Sequence, residues 1–80
     1  MSRYNPKIIE EVVLGLLYLN VFDDYGATRA WKSLNLEALK RLHQKGLISD
    51  PFTRAKSVKI TMEGLDRGYE MARKHFAESR

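Results

Sequence analysis

The chain has no cysteine. That excludes disulfides and thiolate zinc sites, and it fits a reducing compartment. No segment reads as a secretory signal: Met1-Ser2-Arg3-Tyr4-Asn5-Pro6 lacks an apolar core and a small-residue cleavage site. Long hydrophobic runs are missing too. The longest, from Val12 to Phe22, is broken by Gly15 and Asn20 and bracketed by Glu10-Glu11 and Asp23-Asp24. It falls short of the roughly 18 apolar residues that span a bilayer, so no membrane association and a cytoplasmic location are expected. Internal repeats, linkers and low-complexity segments are absent, and 80 residues are expected to make one domain, 1–80. A domain this short, with no disulfide to support it, buries a modest share of its surface. Self-association is the expected extra source of stability.

Groupings that carry catalysis are missing as well. His43 and His75 are the only histidines, and neither has a catalytic or ligand-spaced partner nearby in the sequence. There is no phosphate loop, nucleophile elbow or metal motif. Ser33, Ser49 and Ser57 have no recognisable base. Asp23 and Asp24 are adjacent, but a carboxylate pair without further acidic ligands is a poor cation site. No enzymatic activity, cofactor, metal or small-molecule substrate is therefore expected.

What is present is charge of one sign concentrated in one place. The formal net charge is +4. Residues 40–59 hold Lys40, Arg41, Lys45, Arg54, Lys56 and Lys59 against Asp50 alone. Such a patch suits a polyanion, with a solvated lysine-rich surface as the alternative.

Three helices can be placed from their ends. Asn5 is an N-cap with Pro6 at the first helical position, and Glu10 and Glu11 follow early, where the helix dipole favours acids. Ile8, Ile9, Val12, Val13, Leu16, Leu17 and Leu19 cover more than half the circumference of this first helix. It is either the central core helix or part of a subunit interface. Gly15 within it would permit close helix approach. The second helix starts at Asn35, with Leu34 and Leu39 as a hydrophobic staple. It stops at Gly46, with Leu42 and Leu47 as the apolar pair of a Schellman motif. Leu36, Leu39, Leu42 and His43 are expected to face inward, and Glu37, Lys40, Arg41 and Gln44 outward. The third starts at Thr61, with Glu63 in its first turn and Leu65, Tyr69, Ala72 and Phe76 as its apolar stripe.

Asp23-Asp24-Tyr25-Gly26 reads as a turn, and residues 27–31 as a short strand with Trp31 packed inward. Residues 47–49 and 57–61 read as the strands of a hairpin whose tip is Phe52-Thr53-Arg54-Ala55-Lys56. The expected fold class is α+β, mostly α: a long N-terminal helix, a short strand, a second helix, a β-hairpin and a C-terminal helix.

Leu39-Lys40-Arg41-Leu42-His43-Gln44-Lys45-Gly46-Leu47-Ile48, the basic hairpin and Ile60-Thr61-Met62-Glu63-Gly64 together resemble a winged-helix transcription regulator. The resemblance covers about half the chain. It implies that the second helix is a recognition helix and the hairpin a wing. One departure is visible. The interval 20–34 holds an acidic turn, a glycine and a strand, with no room for a normal positioning helix. The fuller chain resembles short bacterial proteins of an uncharacterised domain family. That likeness rests on Leu16-Leu17-Tyr18-Leu19, Arg29-Ala30-Trp31-Lys32, Arg41 to Pro51, Ala55-Lys56-Ser57-Val58 and Thr61-Met62-Glu63-Gly64.

Two functional expectations follow. In the first, a winged-helix-like protein binds nucleic acid. Arg41 would pair with a guanine edge and Gln44 with an adenine, while Lys40, Lys45, Arg54, Lys56 and Lys59 contact phosphates. In the second, the chain is a homodimeric protein-interaction module, with Val13, Leu17, Leu65, Tyr69, Ala72 and Phe76 at the interface. Phe52, at the hairpin tip, would either stack on a base or cover the hairpin.

Overall fold

A computed structural model describes residues 4–32 and 35–78. The fold is α+β, in the order α1 (Pro6–Leu19), β1 (Phe22–Asp24), β2 (Ala27–Trp31), α2 (Leu36–Gln44), β3 (Ser57–Lys59) and α3 (Met62–Phe76). The strands form one antiparallel sheet in the order β1-β2-β3.

All three helix starts lie where their capping residues put them. The Asn5 side chain accepts from the N–H groups of Lys7 and Ile8, Asn35 from Ala38, and Thr61 from Gly64. Each supplies an acceptor that the first turn lacks. The end of α2 is a Schellman motif with Gly46 at φ +76°, where a side chain would be strained. Leu47 N–H donates to Leu42 at 3.0 Å and Gly46 N–H to His43 at 2.9 Å. Leu34, the outer half of the expected staple, lies outside the described residues.

Helix α1 is the central helix, packed on α3 along most of its length and on α2. Leu17, Leu39, Leu42, Ile48 and Val58 are the largest fully buried side chains. Each contributes about 1.5–3 kcal/mol from apolar burial. The α1–α3 contact is closer than leucine packing allows. A Cβ on Gly68 would stand 2.8 Å from the Tyr18 Cβ, and one on Gly15 would stand 3.2 Å from the Ala72 nitrogen. The buried face of α3 is thus Gly64, Gly68 and Ala72. Of the expected stripe, only Ala72 is fully buried: Leu65 is half-buried, and Tyr69 and Phe76 are exposed.

Several expectations are corrected. Asp23 and Asp24 are strand, not turn, because the chain reverses at Tyr25 and Gly26, whose φ values are 52° and 84°. Two adjacent positive-φ residues make a type I′ hairpin, which matches the twist of the flanking strands. Two strands therefore precede α2 where one was expected. The hairpin after α2 is reduced: residues 47–49 contribute only the Ile48–Ile60 bridge, and β3 pairs with β2. Trp31 is 58% exposed, because Ala30 takes the inward position opposite Val58 and alternation sends Trp31 outward. Leu36 is likewise exposed, and Ala38 is buried in its place. Glu10 and Glu11 lie beyond the first turn of α1 and pair with side chains rather than with the helix end.

Candidate nucleic-acid interface

The caps at Asn35 and Gly46 fix the rotation of α2, and Ala38, Leu39 and Leu42 bind its inner side to the core. Glu37, Lys40, Arg41 and Gln44 are exposed on the outer side, as the spacing predicts. Arg41, Glu37 and Ala38 line a recess of about 180 Å³ that Pro6 and Ile9 close from α1. His43 is exposed, but its Nδ1 lies 3.0 Å from the Ile48 carbonyl oxygen, so it ties the helix to the next segment.

Lys45 has a different setting from the other candidates. It pairs with Glu10, whose carboxylate is buried against α2 while the lysine stays half in water. A buried carboxylate without a cation would be strongly unfavourable, so the ammonium is committed to the fold. The sequence held the signal, an acid in the apolar run of α1, but not which cation would meet it.

Arg54, Lys56 and Lys59 lie on an ordered arm. The Asp50 side chain accepts from the Phe52 N–H at 2.9 Å, and Thr53 Oγ1 from the Ala55 N–H at 3.3 Å. Lys32 Nζ donates to the carbonyls of Pro51 and Thr53 at 2.6 and 2.8 Å, and its backbone N–H to Lys56 at 3.0 Å. Lys32 thus pins the arm to the end of β2. It escaped sequence analysis because its partners are backbone oxygens about twenty residues away. Phe52 is 61% exposed and covers little.

Lys40, Arg41, Arg54, Lys56 and Lys59 have no carboxylate partner among the described residues. They come from two places. Lys40, Arg41 and Gln44 share the outer side of α2, while Arg54, Lys56 and Lys59 follow the arm and β3. Register places Lys59 opposite Arg29, and Arg29 opposite Phe22, in one row across the sheet. Ala30 and Val58 are fully buried, so this row lies on the opposite, solvent face.

On α1 and α3 several charges are paired across the two helices. Glu11 meets Lys74 at 2.9 Å and His75 at 3.0 Å. The Lys74 and His75 hydrogen bonds hold the Glu11 carboxyl below its ordinary pKa. The His75 side chain is largely covered, at 17% exposure. Of the expected dimer residues, Val13 and Leu17 are buried in the chain's own core. Tyr69 and Phe76 line an apolar groove of about 290 Å³ with Tyr18, Leu19, Ala72 and Arg73. Among the described residues, no three His, Asp or Glu side chains are grouped to hold a metal, and no helix is long and apolar enough to cross a membrane.

A family model described as "Domain of unknown function (DUF6429)" matches residues 5–78. The chain is also 40% identical over 68 residues to "Uncharacterized protein y4hR" of Sinorhizobium fredii (strain NBRC 101917 / NGR234). That alignment covers 85% of this chain and 88% of the relative. No solved structure matches. The family match begins at the Asn5 cap and runs past the end of α3, so the whole architecture is included: the chain belongs to the DUF6429 family.

Proposed function

We propose that this protein is a cytoplasmic nucleic-acid-binding protein of winged-helix-like kind, using the outer side of α2 and the basic arm. The observation that carries this reading is the concentration on α2, the arm and β3 of five exposed cations without carboxylate partners among the described residues: Lys40, Arg41, Arg54, Lys56 and Lys59. Cations left unmatched on a folded surface suit a polyanion, and each phosphate contact releases counterions. The unit α2, arm, β3 and α3 supports kinship with winged helices, as does the pairing of β3 with an earlier strand. The β1–β2 hairpin stands where a positioning helix would be. Binding in this reading rests mainly on phosphate contacts, with Arg41 and Gln44 as the base-reading pair and Lys45 withdrawn by Glu10.

Fluorescence anisotropy with a labelled duplex at about 50 and about 200 mM salt tests it. Binding that weakens steeply with salt, and that Lys40→Glu with Arg41→Glu weakens further, is the expected result. No binding at the lower salt ends the proposal.

A second reading is a homodimeric protein-interaction module without nucleic-acid binding. It is favoured by the apolar groove that Tyr18, Leu19, Tyr69 and Phe76 line. Light scattering at micromolar concentration separates the two, and a monomer mass counts against a dimer.

A further inference from the structure

The solvent face of the sheet carries a group of side chains that neither α2 nor the groove uses. Phe22, Arg29 and Lys59 form one row across β1, β2 and β3, and Trp31 and Ser57 form the next across β2 and β3. The Phe22 and Trp31 rings lie 5.0 Å apart at 31°. Trp31 is 58% exposed, so much of its surface is open to water. Arg29 is held in place: its Nε donates to Ser57 Oγ at 2.6 Å and its Nη2 to the Ser57 carbonyl at 2.8 Å. Three of its five N–H donors remain free, and neither Arg29 nor Lys59 has a carboxylate partner among the described residues. Asp24, at the far end of β1, is the acid that shares this face by register.

We propose that this face is a stacking platform for the unpaired bases of a single-stranded nucleic acid. The occupant follows from the combination. An open aromatic surface beside a fixed guanidinium and an ammonium offers a base a π-face and its phosphate two cations. A base inside a duplex has no free face to offer, so the ring pair is of use only to an unpaired strand. Successive residues on one side of a strand stand about 6.5–7 Å apart, so Arg29 lies within a nucleotide's reach of Trp31. The inference goes beyond the reading of α2 and the arm. It uses a different face, needs no groove-reading helix, and shares only Lys59 with it.

The experiment is direct because Trp31 is the only tryptophan. Oligothymidylate and a duplex are titrated separately into the full chain while Trp31 fluorescence is followed, and affinity is measured in parallel by anisotropy. Oligothymidylate is expected to quench Trp31. Trp31→Ala is expected to weaken its binding about tenfold, and Trp31→Phe much less. Trp31→Ala should change duplex binding by less than about threefold, since α2 and the arm do not use Trp31. Oligothymidylate binding that leaves Trp31 fluorescence unchanged, or that Trp31→Ala does not weaken, overturns the platform. Duplex binding alone overturns it while leaving the α2 reading standing, and no binding of either overturns both. Unchanged circular dichroism of Trp31→Ala separates lost stacking from lost folding, and the Trp31→Phe comparison decides the matter if it changes.

Discussion

The α1–α3 side of the molecule and the side made by α2 and the basic arm differ in how much of their charge is paired: Lys7 and Arg73 are the exposed cations of the first without a carboxylate partner among the described residues. On the first, Glu11 is held by Lys74 and His75, Arg67 lies within 3.9 Å of Glu70, and Glu10 closes onto Lys45 at the end of α2. On the second, five cations have no carboxylate partner among the described residues. The packing differs too. Helices α1 and α3 approach through Gly15, Gly68 and Ala72, whereas the arm is held by a few hydrogen bonds from Lys32, Asp50 and Thr53. The ion pairs that tie one element to another therefore involve the first side. The unmatched cations add nothing to the fold and weakly repel one another through screened solvent. Substitutions can break this contrast or sharpen it.

The largest effect is expected at Gly64. A Cβ there would overlap the Leu47 carbonyl oxygen, which also accepts the Thr61 N–H at 3.0 Å. The obstacle is backbone and has no rotamer to escape into. Gly64→Ala should destabilise by about 3 kcal/mol or more, although alanine is the better helix former. Urea denaturation measures it, and a loss below about 1 kcal/mol would mean that this junction can relax.

Next comes Lys45. If it belongs with the structural side, Lys45→Ala leaves Glu10 buried without a cation. The lysine is half exposed, so solvent reduces the loss to about 1–2 kcal/mol, below that of a fully buried pair. Thermal denaturation should place this variant well below Lys40→Ala, which removes the same charge from an open surface. Equal stability of the two would dissolve the distinction between them.

These two sites show how much the sequence discloses. The caps at Asn5, Asn35 and Thr61 and the Gly46 motif were legible, because each is local chemistry within a few residues. The outward side of α2 was legible from the same register. The inward face of α3 was misread, since the stripe Leu65, Tyr69, Ala72 and Phe76 is more apolar than Gly64, Gly68 and Ala72. Close backbone approach favoured the smaller side chains. Trp31 was misread for a related reason: its size suggested burial, but the pleat admits only one of two neighbours, and Ala30 fits beneath the sheet. Asp23 and Asp24 looked unlike a strand, and a two-residue turn made them one. The pairing of β3 with β2, the Lys32 clamp and the Glu10–Lys45 pair join segments distant in sequence, and no local pattern carries them.

A smaller effect is expected from acid. Glu11 titrates below its ordinary value because Lys74, then His75, favours the charged form. Its folded-state pKa is depressed, so the associated stability is present above the unfolded value and lost as pH falls through the folded one. Glu11→Gln should lower the melting temperature at neutral pH. The gap from the parent should narrow as pH falls below the ordinary glutamate range and close once it passes the depressed folded-state value, where the carboxylate is protonated in both states. A gap that stays constant with pH would assign the loss to packing instead of charge.

The smallest effect carries the most weight for the comparison. Lys40→Ala, Lys56→Ala and Lys59→Ala should each change stability by no more than about 0.5 kcal/mol, since these side chains have neither burial nor an ion-pair partner to lose. Alanine at position 40 is also at least as good a helix former as lysine. Neutral stability with weakened nucleic-acid binding would separate folding from binding residue by residue. Losses above about 1 kcal/mol from each, measured by the same urea titration, would instead make the basic side part of the scaffold. The unmatched charge would then no longer argue for a polyanion, because it would have a structural cause.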